Sequence, residues 1–235
     1  IELMSNQIEK TMGLPRSSRL HSDWRANVSN KELRNMRKFF NDNGINIFAL
    51  KANCIGSNNT DKEIEYAMRA TKALGADFLT IELMDDKQIT RVNFFAEKYN
   101  VNVGYHAHSN NLGSNVKATD QAWNYALNSS RNNFINLDIG HYINVGGDNT
   151  EDSLLEFIKN NYKKICSLHL KDRQSGKNAN IAVSDNQIWG LGDTPIDKVL
   201  RLMRDNSYKF SGTIELEYRI PEGSNRVKEV KKCLE

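Results

Sequence analysis

The chain has 235 residues, 39% of them hydrophobic and 26% charged, the make-up of an ordinary folded protein. Its net charge of +3 is scattered rather than blocked, so neither nucleic acid nor a membrane surface is expected as a partner. Three distant cysteines, Cys54, Cys166 and Cys233, argue against a disulfide framework and fit a reducing compartment.

Strand and helix patterns alternate from end to end. Ile1-Glu2-Leu3-Met4 reads as the end of a strand, so a preceding strand-helix unit is expected upstream. Ser29-Asn30-Lys31-Glu32 has the form of a capping box, opening a helix with Leu33, Met36, Phe39 and Phe40 on one face. Asn43-Gly44 stops it, and Ile45–Leu50 follows as a strand. Thr60 or Asp61 caps a second helix, whose stripe of Ile64, Ala67, Met68, Thr71 and Leu74 ends at Gly75. Phe78–Glu82 is the next strand, and a helix over Ile89–Tyr99 leads to Asn102–His108. Asp120–Leu127 reads as a helix, Ile135–Asp138 as a strand, and Glu151–Asn160 as a helix. Ile165–His169 is a strand, with Cys166 as a small buried hydrophobe within it. Ile196–Arg204 is a helix, Gly212–Glu217 the last strand, and the Lys-rich stretch from Arg226 the solvated face of a closing helix. Asp172 to Asp193 is a long polar connection of the kind that is usually functional or mobile. No run reaches the roughly 18 apolar residues of a membrane span.

A metal-ligand residue recurs about once per strand-helix unit of roughly thirty residues. His106, Asp138, His169 and Glu217 each close an apolar run. In a parallel barrel those strand ends meet on one face, where catalytic side chains gather. His106 and His108 share a strand face by alternation. A lone histidine is more often a satisfied core residue, but two at one strand end, with other ligand types at matching ends, favour ligation. Asp138 could serve only as a helix cap, but the next helical pattern begins near Thr150, which weakens that reading. Lys171 shares a face with His169, and a surface lysine is an equal alternative. Glu215 and Glu217 share a face, and buried carboxylates need cations. Glu82 ends its strand equivalently. A set of Asp, Glu and His without Cys suits Mn²⁺ first, then Mg²⁺, Co²⁺ or Zn²⁺.

Leu137-Asp138-Ile139-Gly140-His141 with Gly146-Gly147-Asp148, Leu168-His169-Leu170-Lys171-Asp172, Gly190-Leu191-Gly192 and Gly212-Thr213-Ile214-Glu215-Leu216-Glu217 resemble, in this order, the sugar phosphate isomerase/epimerase family. These are xylose isomerase-like TIM barrels that share a superfamily with endonuclease IV. The resemblance implies an α/β fold, a (β/α)8 barrel lacking its first strand-helix unit, as one domain over residues 1–235. It implies metal ligands at His106, Asp138, His169 and Glu217, with Glu217, five residues past Gly212, preferred to Glu215. It also implies a substrate contact at His141. Where ketose 3-epimerases of the family carry a strand-five Glu, this chain has His106. The stretch Ser184–Trp189 lacks the histidine that endonuclease IV has there, so further zinc ions and abasic-DNA cleavage are not expected.

The expected activity is a divalent-metal-dependent isomerase or epimerase of carbohydrate metabolism, acting on a small sugar or polyol by proton abstraction beside a carbonyl. Glu217 could also shuttle the proton, with Glu82, His108 and Lys171 as candidates for the opposite face and Trp189 as an apolar surface for the ring. A dehydratase or lyase on a keto-inositol or 3-keto-sugar is the alternative enzyme, and a non-catalytic sugar-binding barrel the alternative outside catalysis. A cytoplasmic location is expected, with a secreted or periplasmic one left open by the absent start. A homo-oligomer also stays open.

Overall fold

The computed structural model describes residues 1–56, 58–109, 111–112, 116–176 and 186–235. Ser184 and Asp185, and with them the middle of the long connection, lie outside the described residues. Helix starts follow the sequence chemistry. Ser29 Oγ accepts from the Glu32 N–H while Glu32 Oε2 accepts from the Ser29 N–H, opening α3 (Asn30–Asp42). Thr60 and Glu63 repeat the device for α4 (Asp61–Leu74), which ends at Gly75 in the left-handed region at φ 73°.

The chain divides into two compact units. The first, residues 1–106 and 125–134, holds four parallel strands, β1 (Glu2–Met4), β2 (Ala49–Lys51), β3 (Phe78–Glu82) and β4 (Asn102–His106). They pair in chain order, with Met4 opposite Lys51, Lys51 opposite Thr80 and Glu82 opposite His106. Helices α1 (Ser5–Thr11), α2 (His21–Asn27), α3, α4 and α5 (Asp86–Tyr99) make the crossovers that parallel pairing requires. Arg25 binds Glu9 through two nitrogens at 2.9 and 3.0 Å and Glu63 through a third at 2.9 Å, tying α1, α2 and α4 together.

The second unit, residues 107–124 and 135–235, contains the end of β5 (Asn133–Asp138), then β6 (Ile165–Leu170) and β9 (Ser211–Ile214), again parallel. Asp138 lies opposite His169, and His169 opposite Thr213. Between β6 and β9 the chain forms an antiparallel pair, β7 (Asp172–Arg173) with β8 (Asn186–Gln187). Helices α8 (Ile139–Asn144), α9 (Glu151–Asn161), α10 (Ile196–Asp205) and α11 (Arg226–Leu234) complete this unit.

Three expectations are corrected. The strand expected over 45–50 pairs only from Ala49, the first residue opposite Glu2. The helix expected over 120–127 is two short ones, α6 (Val116–Gln121) and α7 (Asn124–Ser129), because buried Trp123 turns at the break and packs against Phe157. The last strand ends at Ile214, so Glu215 and Glu217 lie beyond it. Among the described residues no helix is long and apolar enough to cross a membrane.

Candidate functional site

Asp138 ends β5 fully buried, and α8 begins at the next residue, not near Thr150 as the sequence reading has it. The carboxylate therefore does cap a helix. Its Oδ1 accepts from the His141 N–H at 2.7 Å. Its Oδ2 is left for other work. His169, opposite Asp138 in the sheet, turns Nδ1 toward Glu215 Oε2 at 3.1 Å and toward Asp138 Oδ2 at 4.0 Å. The other ring nitrogen lies 3.1 Å from the Asn136 side-chain nitrogen, and Asn136 Oδ1 accepts from the Ser167 hydroxyl at 2.8 Å. The imidazole is thus held at its rear edge, with its front edge facing carboxylates.

Lys171 stands at the centre of this group. Its Nζ is 3.0 Å from Asp138 Oδ2, 2.9 Å from Glu215 Oε2 and 2.7 Å from Glu217 Oε2. Burial works against the ammonium charge, but Asp138 and Glu215 outweigh it and raise the Lys171 pKa. Glu215 also feels burial first, yet His169 and Lys171 hold it below the usual carboxylate range. Burial raises the Asp138 pKa against the pull of Lys171. Gly140 makes room for the lysine stem, since a Cβ there would come 2.5 Å from Lys171 Cγ.

His141 is buried, and its Nε2 lies 3.9 Å from Asp138 Oδ2. Burial first, then the charges of Lys171 and Arg173, push its pKa down from 6.5 to about 2, so the ring is neutral. Ser109 Oγ lies 2.9 Å and Arg173 Nη1 3.0 Å from its Nδ1. His108 lies beyond the end of β4, exposed, with its ring 4.5 Å from that of His141. Strand alternation therefore does not extend to it.

Trp189 is half-buried on the loop after β8, and its indole N–H has no acceptor among the described residues. Asp172 anchors that loop. Its carboxylate accepts from the N–H groups of Gly190, Gly192 and Thr194 at 2.8, 3.0 and 3.1 Å.

The second unit thus brings together Asp138, His141, His169, Lys171 and Glu217, with the His108 ring tilted against that of His141. Of the three other expected residues, Trp189 belongs to the second unit's loop and the first unit holds His106 and Glu82 at paired strand ends. His106 is buried at the end of β4 opposite Glu82, and Glu82 is paired with Lys51 from β2. Sequence reasoning missed Lys51, Ser109, Asn136 and the anchoring role of Asp172. An isolated lysine, serine or asparagine carries no pattern, whereas Asp172 could have been found by asking why two glycines follow it.

The resemblance implies a divalent metal, and the second unit's donor set fits one. Asp138 Oδ2 and Glu215 Oε2 are buried and make no well-directed hydrogen bond among the described residues. They are balanced by charge alone. Three carboxylates and an imidazole nitrogen around one cationic position suit a hard or borderline divalent ion.

A family model described as xylose isomerase-like TIM barrel matches residues 10–235. No curated protein matches the sequence. Solved structures do. An IOLI protein with a bound zinc atom is 18% identical with a TM-score of 0.61, over 92% of this chain and 78% of that one. D-psicose 3-epimerase from Clostridium cellulolyticum, solved with D-tagatose, is 14% identical with a TM-score of 0.62, over 91% of this chain and 84% of that one. A sugar phosphate isomerase/epimerase from Parabacteroides distasonis is 16% identical with a TM-score of 0.60, over 85% and 74%. At these identities the likeness speaks for the fold.

Proposed function

Because this chain belongs to the xylose isomerase-like TIM barrel family, we propose that it is a divalent-metal-dependent isomerase or epimerase of a small sugar or sugar derivative. The observation that carries this reading is the convergence of Asp138, Glu215 and Glu217 on a single cation beside His169. Asp138, His169 and Glu217 would hold the metal, and His106 joins the set from the family pattern alone. Mn²⁺ is the first choice for a carboxylate-rich site, with Mg²⁺, Co²⁺ and Zn²⁺ as alternatives. When bound, such a metal supplies Lewis-acid polarisation of a carbonyl and its neighbouring hydroxyl.

The chain's own groups do the rest. Glu217 is the more open of the two C-terminal carboxylates, at 43% side-chain exposure against 31% for Glu215, and takes the proton from carbon. Asn136 holds His169 from its rear nitrogen, the part a supporting group plays beside a ligating histidine, and Glu215 adds a third carboxylate on the Nδ1 side that faces the metal position. Neutral His141 hydrogen-bonds a substrate hydroxyl, and Trp189 offers its indole face to the ring. Glu82, His108 and Lys171 are the candidates for returning the proton. Lys171, with its raised pKa, acts as a donor and not as a base. Each such group typically contributes about 10²–10⁴-fold, so loss of one leaves residual activity.

The test is a screen of ketoses and keto-inositols in deuterated water, using chelated protein reloaded with Mn²⁺. Ketoses come first because the structural neighbours include D-psicose 3-epimerases. Incorporation of deuterium at carbon, with substrate and product otherwise of equal mass, supports the proposal. Loss of water would point to a lyase, and tight binding without exchange to a non-catalytic barrel.

A further inference from the structure

Lys171 lies where the proposed divalent cation would sit. Its ammonium nitrogen lies within ion-pair distance of three different carboxylates, at 2.7 Å (Glu217, also a hydrogen bond), 2.9 Å (Glu215) and 3.0 Å (Asp138). Its side chain is 3% exposed. The stem runs past the bare Cα of Gly140, where even a methyl group would collide with Lys171 Cγ at 2.5 Å. The ammonium is therefore packed into the carboxylate centre rather than resting on it from solvent.

We infer that the Lys171 ammonium competes with the divalent cation for the carboxylates of Asp138, Glu215 and Glu217, so that this lysine sets the metal affinity of the site. The inference rests on the metal-dependent reading above. Two cations cannot share Asp138 Oδ2 without strong repulsion, because a fully buried oxygen has little water around it to screen them. A metal drawn to that oxygen must push the ammonium back or take carboxylates from it. Lysine suits such an exchange, being a compact charge on a flexible stem that can withdraw with its donors intact. Without metal, the ammonium keeps three carboxylates from repelling one another.

The experiment titrates chelator-treated protein with MnCl₂ alone, by calorimetry, and compares wild type with Lys171→Met. Circular dichroism and thermal melts report folding. Lys171→Met should melt lower without metal, bind Mn²⁺ at least about tenfold more tightly (1.4 kcal/mol) and gain more in Tm on adding Mn²⁺. Gly140→Ala keeps every carboxylate and crowds the stem, though its Cβ also comes 2.9 Å from the Lys171 carbonyl oxygen; while it stays folded it should shift the affinity in the same direction. It also serves as the test if Lys171→Met does not fold. Equal or weaker Mn²⁺ binding by the folded variants overturns the competition, and if wild type still binds Mn²⁺ the metal-dependent reading survives. If neither wild type nor variants bind any divalent ion, both fall together.

Discussion

Gly192 and Asp172 are fitted to each other: the Gly192 N–H donates to Asp172 Oδ2 at 3.0 Å, and a Cβ on Gly192 would stand 2.2 Å from Asp172 Oδ1. The second glycine of the Gly190-Leu191-Gly192 stretch is therefore required by close approach to a carboxylate. Gly192→Ala should cost about 1–3 kcal/mol, the usual range for overpacking, and should loosen the loop that carries Trp189. Urea melts measure the first effect, and limited proteolysis around residues 186–194 the second. Wild-type behaviour in both would mean that Asp172 has another place to go.

Asp138→Asn separates the two tasks of that side chain. The amide oxygen can still accept from the His141 N–H, so α8 keeps its cap, but the anionic oxygen facing Lys171 is gone. Divalent metal binding should fall at least about 100-fold, since a ligand is lost outright and not merely its supporting partner. Metal content after dialysis, measured by mass spectrometry, checks this. An unchanged metal content would remove Asp138 from the ligand set.

Glu215 and Glu217 are told apart by parallel substitution. Glu217→Gln should abolish metal-dependent exchange of a carbon-bound proton, because it removes both a ligand and the proposed base. Glu215→Gln takes one negative charge from the cation's position beside His169 without removing a proposed ligand, and should weaken metal affinity by about 10–100-fold. The reverse ranking would hand the ligand role to Glu215, the carboxylate nearer His169.

His141 gives a pH dependence with a definite sign. Its pKa lies near 2 in the folded chain against an ordinary 6.5, so between those values the unfolded chain binds the extra proton. Stability from this ring is complete above pH 6.5 and declines as the pH falls toward 2. The slope is about 1.4 kcal/mol per pH unit in that window. His141→Gln should remove that slope from the urea stability of chelated protein between about pH 6.5 and pH 5. Identical pH profiles for the two proteins would mean that the ring takes up its proton in the folded state as well.

Much of this was legible in the sequence wherever periodicity or caps run long enough. The capping box before α3, the Thr60 cap and the apolar stripe of α4 lie where the residues place them. So do the strand-end positions of His106 and Asp138 and the penultimate place of His169 in β6. Helix α8 was not legible, because Ile-Gly-His-Tyr-Ile-Asn is too short for a 3.6-residue period to register. That is why the capping role of Asp138 was set aside. Nor was the central place of Lys171, which depends on a glycine 31 positions earlier leaving space for its stem. Strand alternation put Glu215 and Glu217 on one face, but their common hold on Lys171 is reached after the strand has ended.

The division of labour within Asp138 has a consequence for how the protein matures. One oxygen is fixed by a backbone N–H and the other faces a cation supplied by the chain itself. The carboxylate therefore has its orientation before any ion arrives. On the proposed metal-dependent reading, the chain folds first and is loaded afterwards, so metal scarcity would limit how much of the protein is active without limiting how much is made.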